Sequence, residues 1–242
     1  MTSPLANYTN GRIISFAQAG SQRDLGSGIV ESGSVEKVDG RLARGDQTRR
    51  AVLRRAVDIA SVDGLEGLSI GRLATELGIS KSGLFAHFGS KEELQLATVR
   101  AARRIYADNV VVPAYQIEPG LGRVWALSRH WLDYSRSRVF PGGCFFQKVS
   151  HEFSARDGAV HEYLASVHHE WMDLIETAVA EAVERGELTA DPVQLAFDLN
   201  AYYEAANLAS ILHNDDTGYE RARQAVRIRL ESAVVPGTPV PW

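Results

Sequence analysis

The sequence predicts an all-α protein in two parts, a small N-terminal three-helix head and a larger helical body. Three observations carry this reading. Apolar residues recur at helical spacing from Thr48 almost to the end of the chain. Ser, Asp and Pro open the periodic segments, and Gly closes several of them. No segment alternates apolar and polar residues between turn signals, as a half-buried strand would. The length of 242 residues, with 45% apolar and 23% charged, suits a soluble globular protein of one large or two smaller units.

Residues 1–44 show no sustained period and are rich in Gly and Ser, so they read as a disordered leader. From Thr48 to about Asp63, Val52, Leu53, Ala56, Val57 and Ala60 share one helical face, and Arg50, Arg54 and Arg55 largely avoid it. Ser69 caps a second helix with Ile70, Leu73, Ala74 and Leu77 inward, which Gly78 breaks. Ser80 caps a third, with Leu84 and Phe88 inward. Ser90-Lys91-Glu92-Glu93 has the form of a capping box and starts a fourth helix, with Leu94, Ala97, Thr98 and Ala101 on its inner side. Beyond Pro113, Val124, Leu127, Trp131 and Tyr134 share a face. Pro141-Gly142-Gly143 interrupts the pattern, and Phe146, Val149 and Phe153 resume it. A long stripe follows, from Val160 through Tyr163, Leu164, Val167, Trp171, Leu174, Ile175 and Ala178 to Ala182, ending at Gly186. Asp191-Pro192 opens a helix to about Leu212. A last helix covers about 218–234.

The net charge of −4 conceals an asymmetry. Residues 41–91 hold nine cations against five acids, so this stretch is +4 and the rest of the chain −8. A basic section on an acidic body fits a protein that meets a polyanion with one part only. No apolar run reaches the roughly 18 residues that span a membrane, and no signal peptide is visible. Cys144 is the single cysteine, so no intrachain disulfide can form. Together these point to the cytoplasm and away from a membrane.

Residues 70–89 meet the physical needs of a helix-turn-helix. The first helix braces the second, Gly78 allows the tight turn, and Ala74 is small where the helices cross. The second helix opens with Ser80, Lys81, Ser82 and Gly83, short groups at a helix N-terminus whose free N–H groups and dipole favour phosphate. Gly83 permits close backbone approach. The partner this implies is double-stranded DNA.

The pieces Gly64-Leu65-Glu66-Gly67-Leu68-Ser69-Ile70, Leu73-Ala74, Leu77 to Phe85, His87-Phe88 and Ser90 to Leu94 keep the order and spacing of one known family. Residues 47–107 resemble the DNA-binding domain of the tetracycline-repressor (TetR/AcrR) family. The resemblance implies an N-terminal helix-turn-helix DNA-binding domain and, over 108–235, a larger helical ligand-binding and dimerisation domain. It implies a transcriptional repressor, a homodimer through helices 191–212 and 218–234, released from a near-palindromic operator by a small-molecule effector of unknown identity. By the same resemblance Lys81, Ser82 and Gly83 read bases or face the groove, and Ser69, His87 and Lys91 hold phosphate. Arg49, Arg72, Ser80, Leu84 and Phe85 complete the expected DNA-binding set. Phe85 stands where the family commonly has Tyr; lacking a hydroxyl, it is left to packing or to apolar contact with a sugar or a thymine methyl.

The body is rich in aromatics, most of them expected in the core. Trp125, His130, Trp131, Tyr134, Cys144, Phe146, Trp171, Tyr203 and Asn207 are the expected ligand-binding residues, since effector pockets are apolar with a few polar groups. His151, His168 and Asn200 are further polar candidates. Cys144 follows Pro-Gly-Gly at a helix start, which opens an alternative as a redox or electrophile sensor; a constitutive regulator without ligand is another. No nucleophile–base–oxyanion pattern or phosphate loop is present, so no enzyme and no cofactor is expected. The seven histidines lack metal-ligand spacing.

Overall fold

The computed structural model describes residues 35–242, with side chains from residue 45. Helices carry the described chain. We number them α1 (Val35–Asp63), α2 (Ile70–Leu77), α3 (Lys81–Phe88), α4 (Lys91–Tyr106), α5 (Val112–Tyr115), α6 (Leu121–Arg136), α7 (Phe145–Phe153), α8 (Ala159–Glu184), α9 (Pro192–His213) and α10 (Thr217–Glu231). Among the described residues the single β feature is an isolated antiparallel bridge, Leu188 to Val234. None of these helices is long and apolar enough to cross a membrane. The chain is all-α, with a helix-turn-helix at its N-terminal end and a larger helical body.

Two elements differ from the sequence expectation. The first helix is helical from Val35 rather than from Thr48, so residues 35–44 extend α1 and are not a disordered leader. The rest of that expected leader lies outside the described residues. A five-residue π segment, Ala107–Val111, follows α4 directly and carries the chain into α5. It has no simple signature in the 3.6-residue period on which the reading rested.

Caps set the element boundaries. Ser69, Ser80, Ser90 and Asp191 each accept a backbone N–H three residues on, from Arg72, Gly83, Glu93 and Gln194. Each such cap stabilises its helix by about 1 kcal/mol. At Ser90 only half of the expected capping box forms, because the Ser90 N–H donates to the Phe88 carbonyl at 2.8 Å instead. Gly78, at φ +65°, terminates α2 in the left-handed region that a side chain would resist.

One continuous core runs from head to body. In the head, Val52, Ala56, Leu65, Leu68, Leu73, Leu84 and Phe88 are buried together. In the body, Tyr106 at the end of α4 is a hub. Tyr134, Phe146 and Trp171 meet its ring nearly edge-on, at centroid distances of 5.3, 5.5 and 5.4 Å. The body also buries an ion pair, Arg123–Glu181 at 2.6 Å. Arg123 further donates to the Ile117 carbonyl and lies over the Tyr115 ring. Those contacts compensate the guanidinium for lost water.

Candidate functional site

The head presents α3 at its surface. Ser80, Lys81, Ser82, Gly83 and Phe85 are exposed, while Leu84 and Phe88 are buried on the opposite side. Leu84 corrects the expectation, since its side chain is fully buried and belongs to the head's core. Phe85 is 54% exposed, an unusual position for a large aromatic. Gly83 has little room for a side chain: a Cβ there would lie 2.9 Å from Ser80 Oγ, the cap atom itself.

Several cations of the head are tied into networks in the single chain. Arg72 pairs with Asp63 at 2.6 Å and with Glu76 at 3.0 Å, and Arg55 reaches Glu76 at 2.5 Å. Arg55 and then Arg72 hold the Glu76 carboxyl below its ordinary value. Lys91 pairs with Glu66 at 2.7 Å, which lowers the Glu66 carboxyl in the same way. Arg49 donates to the His87 carbonyl at 2.7 Å and lies over the Phe88 ring at 4.7 Å. Ser69 spends its hydroxyl on the Arg72 N–H. These exposed pairs are weak in water and can be exchanged for phosphate.

The body holds a cavity of about 240 Å³. Aromatic side chains wall it: Tyr106 from α4, Trp131 from α6, Phe146 from α7 and Trp171 from α8. Cys144, Leu164 and Val167 add apolar wall, and Gln147, Ser150, His151, His168, Asn200 and Glu204 bring polar atoms. Of the nine expected ligand residues, Trp131, Cys144, Phe146 and Trp171 lie on this cavity. The polar candidates His151, His168 and Asn200 lie there too.

The other five are elsewhere, and each has a packing reason. Tyr203 stacks on Trp131 at 5.0 Å and bonds Ser128 through its hydroxyl at 2.6 Å, behind the wall. Asn207 is a brace: its Oδ1 accepts the Cys144 N–H and the Ser135 hydroxyl, both at 2.9 Å, and its Nδ2 donates to Gln147 Oε1 at 2.6 Å. Tyr134 is wedged edge-on between Tyr106 and Phe140. Trp125 packs against Trp242 at the far end of the chain. His130 sits beside Arg129, with its pKa lowered by burial and then by that charge. Tyr106, Gln147, Ser150 and Glu204 were not expected at the cavity.

The Cys144 thiol is buried at the start of α7, and desolvation pushes its pKa up to about 11. Hydrogen bonds from the α7 backbone oppose this without overcoming it. Burial thus favours the thiol over the thiolate, which weighs against a redox-sensing role.

Head and cavity share α7. One side of it carries Phe146, Gln147, Ser150 and His151 onto the cavity. From the same helix Glu152 accepts the backbone N–H of Leu65 at 2.7 Å and of Glu66 at 2.8 Å, in the turn between α1 and α2. The loop before α7 also touches the head. The Gly142 N–H donates to Ser61 Oγ at 3.1 Å, and Arg54 donates to the Val139 carbonyl at 3.1 Å.

Comparison with known proteins places this geometry. Residues 52–98 match the model for bacterial regulatory proteins of the tetR family, and residues 120–226 match the model for the tetracyclin repressor-like C-terminal domain. The chain belongs to the TetR family. It is therefore a TetR-family transcription regulator with a helix-turn-helix DNA-binding domain. Among curated TetR-like relatives it is similar to the HTH-type transcriptional regulator SrpR of Pseudomonas putida, 19% identical over 190 residues, spanning 78% of this chain and 85% of that protein. Among solved structures it resembles a TetR transcriptional regulator from Chloroflexus aurantiacus (TM-score 0.74, 24% identity, 80% of this chain and 100% of that one). Two TetR-like neighbours were solved with ligands. One, from Saccharomonospora viridis, is in complex with choline (TM-score 0.67, 19% identity, 78% and 99%). The other, AibR, is in complex with isovaleryl coenzyme A and operator DNA (TM-score 0.56, 22% identity, 66% and 85%).

Proposed function

We propose that this chain is a cytoplasmic, non-enzymatic transcriptional repressor that binds a near-palindromic operator as a homodimer and is released by a small molecule entering the body cavity. The observation that carries this reading is α7, which lines the cavity with one face and holds the head through Glu152 with another. An occupant that displaces Phe146 or Gln147 moves the carboxylate on which the α1–α2 turn hangs. Release follows only if the ligand binds the two arrangements of α7 unequally. The ligand-bound neighbours support an effector role for the body, and the neighbour caught with operator DNA supports DNA as the partner of the head.

On this reading Lys81, Ser82 and Gly83 enter the major groove, and Ser69, Ser80, His87, Arg49, Arg72 and Lys91 meet phosphates. Phe85 adds an apolar contact to the DNA. Dimerisation rests on α9 and α10. Val193, Phe197, Ala201, Ala205, Leu208 and Leu212 follow one face of α9 and are all exposed in the single chain, and Ile228 of α10 is exposed as well. A contiguous apolar stripe of that length marks a surface meant to be covered. The occupant is a second copy, because a two-fold pair of heads fits two half-sites one helical turn apart.

The test is an electrophoretic-shift titration of the purified protein against DNA upstream of its own gene. The expected result is a saturable shift at low salt that weakens steeply as salt rises and is reversed by a small molecule. Absence of binding to any near-palindromic site at low salt would overturn the proposal.

A further inference from the structure

The chemistry of the cavity wall narrows the class of molecule that fits it. Its four aromatic rings, Tyr106, Trp131, Phe146 and Trp171, come from four different helices and enclose the space from several sides. No lysine or arginine lines it, and the one acid that does is Glu204. That residue is exposed in the single chain, and its carboxylate is oriented by a relay. Trp171 Nε1 donates to Asn200 Oδ1 at 3.0 Å, and Asn200 Nδ2 donates to Glu204 Oε1 at 3.0 Å. A wall tryptophan is thus tied to the cavity's acid through one amide. Gln147 adds a buried Nε2 donor without a hydrogen-bond partner, and His151 spends Nδ1 on the Gln147 carbonyl at 2.7 Å.

From this arrangement we propose that the cavity binds an organic cation, an alkyl- or aryl-substituted ammonium, with its charge among the rings of Tyr106, Trp131, Phe146 and Trp171 and facing Glu204. The proposal rests on the effector reading of the cavity given above. Aromatic faces attract cations through the ring quadrupole, most strongly where water is excluded, and a quaternary ammonium offers that charge without requiring hydrogen bonds. An anion would meet the negative faces of four rings and a carboxylate, with no guanidinium or ammonium to receive it. The field of Glu204 already reaches inward, since its charge is among the influences that keep the Cys144 thiol protonated. Gln147 Nε2 gives such a cation's hydroxyl or carbonyl substituent a donor to meet.

The experiment uses the full-length protein and three benzyl probes: benzyltrimethylammonium, its uncharged carbon isostere neopentylbenzene, and the anion phenylacetate. Binding is followed by calorimetry and by quenching of tryptophan fluorescence. The expected order is cation, then isostere, then anion, with the cation favoured over the isostere about tenfold. Glu204→Gln, which keeps the Asn200 contact, should remove most of that preference while leaving the isostere's affinity and the oligomeric state unchanged. Glu204→Asp should retain the preference. Equal or tighter binding of the isostere or of phenylacetate overturns the proposal, as does a cation affinity indifferent to Glu204→Gln or a failure of all three probes to bind. Operator release by a neutral or acidic molecule, abolished by the cavity-filling Val167→Trp, would overturn the cationic class alone and leave the effector reading standing. Release that Val167→Trp does not affect would overturn both.

Discussion

Phe85 and Cys144 show how a single side chain can withhold chemistry that its position invites. Phe85 projects from α3 at 54% exposure, where a hydroxyl would face solvent and, on the proposed reading, phosphate, and it has none. Phe85→Tyr adds that group without altering the packing of Leu84 or Phe88 beneath. We expect it to tighten operator binding by about 0.5–1.5 kcal/mol, the net value of one hydrogen bond, with the melting temperature unchanged. A fluorescence-anisotropy titration would show this, and equal affinities would mean that Phe85 points away from the backbone. Cys144 stands at a helix start, where thiols are often activated, yet burial prevails and its pKa rises to about 11. At pH 7 the thiol form is favoured over the thiolate. Iodoacetamide should therefore label the native protein far more slowly than the unfolded chain, and Cys144→Ser should leave operator binding insensitive to peroxide just as in the wild type. Rapid labelling of the native state would restore the redox reading. The linkage has a definite sign: the folded chain holds this proton more tightly than the unfolded one. The stabilisation is fully present below the ordinary thiol value of 9.0 and is lost as pH climbs from there through about 11.

Among the helices α7 has the most to do for its length. Its Glu152 accepts two charge-assisted hydrogen bonds from the α1–α2 turn, and a Cβ at Gly64 would run into that carboxylate. Glu152→Gln keeps the size and one acceptor but turns an amide N–H₂ toward a backbone N–H. The expected costs are about 1–3 kcal/mol of stability and a ratio of operator affinities, with and without effector, that moves toward one. Titrations with and without effector measure that ratio, and an unchanged ratio in the folded variant would place the coupling outside α7. The loop ahead of α7 is held as closely, since a Cβ on Gly142 would fall 1.9 Å from the Ser61 carbonyl oxygen. Gly142→Ala must push α1 and α7 apart, and calorimetry should show a loss of about 1–3 kcal/mol, as for overpacked cores. The elements themselves were legible in the sequence because their signals are local. Ser69, Ser80, Ser90 and Asp191 announce the helices that begin at the next residue, and Gly78 a turn. The cavity was legible only in part, because its walls come from helices far apart in sequence and interhelical packing decides which side chain turns in. Tyr106 is indistinguishable from core by spacing, Glu204 resembles a solvated acid, and Tyr203 and Asn207 look like lining yet stand one layer behind it.

The whole molecule has an unequal surface, a basic head on an acidic body, and that body leaves an apolar face uncovered on α9. Val193, Phe197 and Leu212 are 61%, 63% and 70% exposed, and the proposed pairing of two copies rests on them. The flanking helix α10 contributes Ile228 and is fastened to α9 by Arg229 and Asp198 at 2.8 Å, so the two present a single rigid face. On the proposed pairing, that face joined to its own copy would set the distance between two α3 helices, and a two-fold operator would then bind as one site. Phe197→Glu places a charge within the stripe and, because the residue is mostly exposed in the single chain, leaves the fold of the protomer intact. Sedimentation should show a monomer with unchanged circular dichroism. Affinity for the full operator should fall by roughly the 10²–10⁴-fold that linking two binding events supplies, while affinity for a half-site duplex stays as it was. A variant that remains dimeric would move the interface off α9. A monomer that keeps full operator affinity would show that one head suffices, and that the spacing of two heads is not what the effector changes.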